Sequence, residues 1–314
     1  MNLLTSIYGT GVRVRNALYD RGTLAQQRLQ KPVVSVGNLS VGGSGKTPFV
    51  LLLGELLKAR GIPFDILSRG YGRKTEGVRL VDPGGSSRDF GDEPLLLARR
   101  LGVPVVVGED RAEAGRFAEQ RFRPQLHVLD DGFQHRALSR VFDIVLVTPE
   151  DARDRLLPAG HLREPLTCLS RADVIVLANG ASPEAFPHNG KLVWRVRRGI
   201  SPKNVPSRPV AFCGIARPKN FFVQLRTAGI EPAAEAVYRD HHAYTEPDIR
   251  DLMKLRQQSE ADGFVTTEKD AVNLGGLLSA LEPIAVVPVK MELTDAANAV
   301  DTMLRVIAER TRQT

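Results

Sequence analysis

The chain has 314 residues, of which 42% are hydrophobic and 25% charged; this composition excludes a disordered chain, and the length favours two domains over one. The formal net charge of +7 predicts an anionic partner, whether a nucleotide, a nucleic acid, an acidic lipid or a phosphorylated substrate. Cys168 and Cys213 lack companions at metal-ligand spacing and indicate a reducing, cytosolic-side location, and no apolar run approaches the roughly 20 residues of a membrane-spanning helix.

Residues 1–31 predict a basic amphipathic helix. Its cations are opposed only by Asp20. Positions on one face recur at spacings of three and four, namely Leu4, Ile7, Gly11, Val14 and Leu18. Such a helix can lie in the headgroup region of an anionic membrane, or it can pack its apolar stripe on the adjacent domain. These residues by themselves favour neither arrangement.

An apolar strand at 33–36 leads into a glycine-rich loop with the chemistry of a nucleoside triphosphate site. Glycines let backbone N–H groups turn towards the phosphates, Lys46 would reach the β and γ oxygens, and the Thr47 hydroxyl would take a place on Mg²⁺. The strict motif has glycine where this chain has Ser40, and the other glycines of the loop are expected to compensate. The predicted ATP contacts here are Gly42, Gly43, Ser44, Gly45, Lys46 and Thr47.

Strands and helices alternate after this loop. Apolar, β-branched runs predict strands at 64–68, 78–81, 103–107, 126–129, 144–147 and 174–178, and helices at 93–100 and 111–121. Buried strands separated by helices indicate an α/β fold of the phosphate-loop NTPase type, in which a mainly parallel sheet has helices on both faces.

A shift to Asn, Gly, Ser, Pro and Arg around 179–209 places a domain boundary in that region. Strands at 210–213, 263–266 and 284–287 and helices at 220–227 and 246–257 then indicate a smaller α/β/α unit. The predicted domains are the N-terminal helix at 1–31, a phosphate-loop domain at 32–190 completed by a helix at about 297–314, and a smaller domain at 191–296 that includes a linker strand at 192–196.

Acidic side chains follow the strand at 126–129. Asp130 and Asp131 stand where a phosphate-loop enzyme needs a carboxylate to hold Mg²⁺ directly or through water. The next loop carries Gln134 and His135, whose polar side chains could face the γ-phosphate, although a plain surface position explains His135 equally well. Asp92 begins a predicted helix, which fits either helix capping or a general base for an attacking hydroxyl.

Further polar residues lie in loops. Arg69, in the basic loop at 68–74, suits the triphosphate or an anionic substrate group, with a solvated loop as the alternative. The triplet at 240–242, Asp-His-His, lacks the additional ligands of a metal site, and a histidine that pairs with a carboxylate across a cleft is the better functional interpretation. Glu164 is another acid in a loop after a strand.

Other functions stay open on these residues. A regulatory GTPase is suggested by Asp-Pro-Gly-Gly at 82–85, but Thr-Glu-Lys-Asp at 267–270 does not match a guanine-selecting segment. Nucleic-acid binding is disfavoured because aromatic residues make up only 6% of the chain. A different small-molecule kinase or ATP-dependent ligase is the strongest rival, since a fold does not determine a substrate.

Taken together, several segments resemble one family, the tetraacyldisaccharide 4'-kinases of lipid A synthesis in Gram-negative bacteria. The matching segments are GN (37–38), GGSGKTP (42–48), SRGYG (68–72), GDEP (91–94), DDGFQH (130–135), LPAG (157–160), LREP (162–165), FCGIA (212–216), DHH (240–242) and TEKDA (267–271). They occur in order over nearly the whole chain, and the set is far more specific than the phosphate loop alone.

The resemblance implies a peripheral enzyme at the cytoplasmic face of the inner membrane, with a phosphate-loop domain, a smaller domain and a short β linker. With ATP and Mg²⁺ it would phosphorylate the 4'-hydroxyl of a tetraacyl glucosamine disaccharide 1-phosphate, giving the 1,4'-bisphosphate. It also favours membrane attachment for residues 1–31, because the acyl chains of this substrate sit in a bilayer. The implied partners are the lipid and the membrane surface, without nucleic acid.

The resemblance also implies roles for individual residues. Asp92 would be the general base, tuned by His241, although the sequence leaves open whether His241 or His242 is its partner. The metal and the phosphates would be served by Thr47, Asp131 and Glu164. Beside these three residues would lie Asp130 and Gln134.

Overall fold

The structure is a computed structural model that describes residues 3–178 and 180–313. Its helices are α1 (Leu3–Asp20), α2 (Lys46–Ala59), α3 (Ser87–Phe90), α4 (Asp92–Leu101), α5 (Arg111–Phe122), α6 (Pro218–Thr227), α7 (Glu246–Gln258), α8 (Glu268–Leu274) and α9 (Ala296–Arg312). Its strands are β1 (Val33–Asn38), β2 (Phe64–Ser68), β3 (Arg79–Leu80), β4 (Val105–Val107), β5 (Leu126–Asp130), β6 (Phe142–Val147), β7 (Val174–Leu177), β8 (Leu192–Ile200), β9 (Pro209–Cys213), β10 (Ala234–Val237), β11 (Gly263–Thr267), β12 (Ile284–Val287) and β13 (Val289–Leu293).

The larger sheet has the strand order β13-β8-β7-β6-β1-β5-β2-β4-β3. Its pairs are parallel except β13 with β8 and β3 with β4, which confirms the predicted mainly parallel α/β sheet. β1 lies inside this sheet and is buried along its length, because its apolar residues are covered on both faces. The carboxyl end of β1 opens into the loop before α2, where ligands of open parallel sheets bind.

A smaller sheet has the order β10-β9-β11-β12, and its pairs are parallel. The strand expected as a linker within the smaller domain instead pairs with β7 as β8, and β13 pairs with β8, so both extend the larger sheet. The reason is packing: Trp194 and Val196 of β8 join the apolar core that contains Phe49 of α2. Met303 of α9 lies in that same core.

α1 packs on the larger sheet unit through small and polar residues. Gly9 and Asn16 are its buried residues, and a Cβ atom on Gly9 would stand 3.0 Å from Leu156 Cδ1. Its apolar stripe faces outward, with exposed fractions of 60% for Ile7 and 53% for Val14. None of the helices among the described residues combines the length and apolarity that crossing a bilayer requires.

A buried ion pair joins the central strands β2 and β5. His127 Nδ1 lies 2.8 and 3.0 Å from the carboxylate oxygens of Asp65, and its Nε2 lies 3.3 Å from Glu119. Both members of the Asp65–His127 pair are fully buried. Burial alone would lower the pKa of His127, but the carboxylates of Asp65 and Glu119 outweigh it and raise the pKa. Each charge therefore depends on the other for compensation.

We expect His127→Leu to lower the free energy of unfolding by about 3–5 kcal/mol, because Asp65 would remain buried without its partner. Urea denaturation of the purified chain measures this change. In the double variant Asp65→Leu/His127→Leu both charges are gone, and most of the lost stability should return. Equal losses in the single and double variants would contradict this account.

Candidate active site

The phosphate loop connects β1 to α2 in a conformation that requires glycine. Gly42, Gly43 and Gly45 have φ of 76°, 49° and 88°, a left-handed region that side chains disfavour. Ser40, at the position of the missing motif glycine, is buried and forms a β-bridge with Leu162. The sharp turns therefore fall after Ser40, at the three glycines that were expected to compensate.

The interior of the loop offers donors to a phosphate. Ser44 Oγ is buried and has no hydrogen-bond partner among the described residues. Lys46 Nζ lies 3.0 Å from Asn38 Oδ1 and 3.5 Å from Asp131 Oδ1. An unsatisfied hydroxyl and a lysine at a helix N-terminus fit the phosphates of ATP. The sequence motifs included Asn38 without assigning it a role, and the structure makes it the anchor of Lys46.

Asp131 follows β5 with φ of 51° and turns its carboxylate to two cations. Arg163 Nη1 and Nη2 donate to its oxygens at 3.0 and 2.8 Å, and Lys46 lies opposite. Burial by itself would raise the pKa of Asp131, but Lys46 and Arg163 prevail and hold the pKa well below its usual range. Arg163 lay in a quoted motif without a role, and its position beside Asp131 emerges only from the structure.

Asp130 is buried at the end of β5, with 3% of its surface exposed. Ser68 Oγ donates to its Oδ2 at 3.2 Å, while Oδ1 is buried without a partner among the described residues. Burial, reinforced by the charges of Glu93 and Asp131, raises the pKa of Asp130 to about 7. The surroundings of this carboxylate have too little positive charge to balance it, and a nearby Mg²⁺ would supply that charge.

Glu164 is 1% exposed and already holds three donors. Asn16, Arg171 and Gln134 donate to its oxygens at 2.7, 2.8 and 3.1 Å. Gln134 Nε2 also donates to the carbonyl of Asn38 at 2.9 Å, so this network reaches the phosphate loop. Within residues 3–178 and 180–313, no group of three or more His, Cys, Asp or Glu side chains could hold a metal by itself. Mg²⁺ commonly keeps waters and substrate phosphates as ligands, together with one or two protein carboxylates.

Asp92, the first residue of α4, lies against His241 across the boundary between the two sheet units. His241 Nδ1 lies 2.8 Å from Oδ2 and 3.1 Å from Oδ1 of Asp92, which is 4% exposed. His242 instead contacts Asp248, its Nε2 lying 3.1 Å from Oδ2. Of the two adjacent histidines, His241 is therefore the partner of Asp92.

Lys269 and Asn273 of α8 complete the surroundings of Asp92. Asn273 Nδ2 donates to Asp92 Oδ2 at 3.1 Å, and Lys269 Nζ lies 3.7 Å from the same oxygen and 3.2 Å from His241 Nε2. Burial would raise the pKa of Asp92, but His241, Lys269 and Asn273 reverse this and lower it. The pKa of His241 is raised, because its contact with Asp92 outweighs burial and the charge of Lys269. The sequence motifs included Lys269 without assigning it a role, and Asn273 was not singled out.

A cationic cluster lies after β2. Arg69 is exposed, and Arg111, at the start of α5, is buried close enough for the two charges to repel each other. Burial, together with Arg111 and Arg140, lowers the pKa of His135 to about 4. His135 is thus half-buried beside cations rather than fully exposed on a surface loop, and the structure adds Arg111, which the sequence did not single out.

Comparison with known proteins identifies the family of this chain. A family model described as tetraacyldisaccharide-1-P 4'-kinase matches residues 1–308. The chain belongs to this family. Curated relatives named tetraacyldisaccharide 4'-kinase include those of Koribacter versatilis, 52% identical over 99% of both chains, and Geobacter metallireducens, 39% identical over 93% of both. The crystal structure of "apo" form LpxK from Aquifex aeolicus in complex with ATP has a TM-score of 0.80, with 36% identity over 97% of both chains.

Family membership establishes the reaction. The kinase transfers phosphate from ATP, with Mg²⁺, to the 4'-hydroxyl of the lipid A disaccharide precursor. The predicted family, enzyme class, fold and substrate lipid are confirmed. The rival interpretations as a regulatory GTPase, a nucleic-acid binder or another small-molecule kinase are therefore rejected.

Proposed function

We propose that the phosphate loop of this kinase binds the triphosphate and that Asp92 accepts the proton of the 4'-hydroxyl. The contact between Asp92 and His241 at 2.8 Å carries this proposal, because it gives one buried carboxylate an oriented partner. The neighbouring Glu93 links this pair to the phosphate site, since its charge acts on Asp130 beside Lys46. The acid–base pair and the phosphate loop therefore lie close enough for their charges to interact.

In the reaction, the 4'-oxygen bonds to the γ-phosphorus while the bond from that phosphorus to the β–γ bridging oxygen breaks. The electron pair of the broken bond leaves with ADP, and the hydroxyl proton passes to Asp92. Lys46, Ser44 and the backbone N–H groups of the glycine-rich loop bind phosphate oxygens. His241 keeps Asp92 oriented, and its hydrogen bond helps to lower the pKa of Asp92, which favours the carboxylate form that can accept a proton.

Thr47 and Asp131 would hold Mg²⁺, together with phosphates and water, and the ion would neutralise charge on the β and γ oxygens. Asp130 supports that site with its unpartnered oxygen. Glu164 would serve the metal from outside its direct ligands, through Gln134. We assign Arg69 a phosphate contact, since it is an exposed cation beside Arg111.

The direct test is transfer of ³²P from labelled ATP to a tetraacyl disaccharide 1-phosphate in detergent micelles with Mg²⁺, followed by lipid extraction. We expect a labelled bisphosphorylated lipid in the organic phase. Label that stays entirely in the aqueous phase, from a chain that still binds ATP, would refute the assignment of these residues to the acceptor reaction.

We further propose that α1 attaches the kinase to the cytoplasmic face of the inner membrane. The exposed residues Ile7 and Val14 form an apolar stripe beside basic residues, as in helices that lie in a membrane interface. A neighbouring face of α1 contacts loops of the candidate site: Tyr8 Oη donates to the Arg163 carbonyl at 2.9 Å and Arg15 Nη2 to the Gln134 carbonyl at 2.7 Å. This arrangement would hold the site next to the lipid.

Charged substitutions should separate this membrane contact from folding. We expect Ile7→Glu/Val14→Glu to lower binding to anionic liposomes by about tenfold or more, because each buried aliphatic side chain contributes about 1.5–3 kcal/mol. Cosedimentation with phosphatidylglycerol vesicles measures the effect. Val223→Glu on α6 is the matched control, since Val223 is 58% exposed on another surface. Unchanged cosedimentation of the α1 variant would contradict the proposed attachment.

A further inference from the structure

The loop that leads from β9 into α6 lies against the phosphate loop. A Cβ atom on Gly43 would stand only 2.9 Å from both Cγ and Cδ of Arg217. Met291 of β13 covers Gly45 in the same way, with its Cε 3.3 Å from such an atom. The Arg217 side chain thus comes from the smaller sheet unit and crosses a glycine of the loop that binds the phosphates.

Apart from its contact with the phosphate loop, the side chain of Arg217 has few interactions. Its Nη1 lies 3.3 Å from Glu150 Oε2, in a pair whose side chains are 28% and 59% exposed. A partly exposed pair of this kind contributes little to stability, and beyond it Nη1 has no hydrogen-bond partner among the described residues. The charge of Arg217 also acts on Arg198 of β8, whose Nε is similarly unsatisfied. Each of these two guanidinium groups thus has a donor nitrogen that is poorly satisfied, and an anion bound at the phosphate loop could accept from them.

We propose that Arg217 is an arginine finger supplied in cis by the smaller sheet unit. This inference rests on the phosphate loop binding ATP, as proposed above. As the bond from the 4'-oxygen to the γ-phosphorus forms and the bond to the bridging oxygen breaks, negative charge passes to ADP, and Arg217 donates hydrogen bonds to the oxygens that receive it. The ion pair with Glu150 is not needed for this role, because the phosphate oxygens would take its place.

Binding of MgADP to the full chain, with and without aluminium fluoride and in the presence of acceptor lipid in micelles, tests the proposal. MgADP with aluminium fluoride mimics the phosphoryl group in transfer, so the wild type should bind it more tightly than MgADP alone. In Arg217→Ala, the MgADP affinity should stay within about threefold, while most of the fluoride gain is lost and kcat falls by about 10²-fold or more. Arg217→Lys should behave similarly, because an ammonium group lacks the planar fork.

Two control variants separate this role from a tether between the sheet units. Glu150→Gln removes the same ion pair and should keep the fluoride gain. Arg226→Ala, on the helix that follows Arg217, removes an arginine that pairs with Glu231 at 3.1 Å, and it should keep both affinities. The proposal is overturned if Glu150→Gln also loses the gain in affinity that aluminium fluoride gives. It is likewise overturned if either Arg217 variant keeps that gain, or if the wild type shows no gain. A wild type that binds no MgADP would overturn the proposed phosphate loop as well.

Discussion

Asp92→Ala should lower kcat by about 10²–10⁴-fold while leaving ATP affinity nearly unchanged, because removal of a proton acceptor acts on the transition state more than on nucleotide binding. His241→Ala should likewise lower kcat while leaving ATP affinity nearly unchanged. It leaves Asp92 with Lys269 and Asn273, which lie near the carboxylate but do not replace the orienting imidazole. Initial rates of lipid phosphorylation and equilibrium titration with ATP measure the two quantities.

The adjacent histidine provides a matched control for this prediction. His242→Ala removes an imidazole from the same turn, but its partner is Asp248 at 3.1 Å rather than Asp92. We therefore expect His242→Ala to keep most of its turnover. Near-normal turnover in Asp92→Ala would remove the general-base assignment, and equal losses in the two histidine variants would remove the specific role of His241.

Lys46→Ala should abolish most phosphoryl transfer, with a fall in kcat of about 10²–10³-fold, the usual cost of removing one donor to transition-state charge. Lys46 is fixed for this role by Asn38 at 3.0 Å and by Asp131 at 3.5 Å. Arg163 would still hold Asp131 in the variant, so the defect should fall on the phosphates rather than on the fold. Transfer of ³²P to the lipid and thermal unfolding of the variant give both measurements.

Lys58→Ala is the control on the same helix. Lys58 lies in the last turn of α2, and its Nζ donates to the Leu101 carbonyl at 2.6 Å, away from the loop. Lys58→Ala removes the same charge and the same side chain as Lys46→Ala does, and we expect wild-type turnover. If both lysine variants lose turnover alike, loss of positive charge in general would explain the result and the specific role of Lys46 would be contradicted.

The elements that sequence predicted best are those whose signal is local. The β1 strand, the glycine-rich loop and the start of α2 are adjacent in the chain, and Asp130 and Asp131 come directly after a buried strand. The sequence did not predict β10, β13 or α8. β10 has four residues, β13 has five and α8 has seven, so each is too short for a periodic pattern to stand out from its surroundings.

The amino-acid sequence by itself determined that this chain carries a phosphate loop in an α/β fold and, through its ordered motifs, which family it resembles. Tertiary structure alone decided which side chains meet. Asp92 and His241 are 149 residues apart, and Arg163 reaches Asp131 from another loop. Periodicity and strand-end chemistry identify elements one at a time, whereas these contacts depend on strand order and on how the two sheets pack. The same reason explains why only the structure places Arg217 against Gly43.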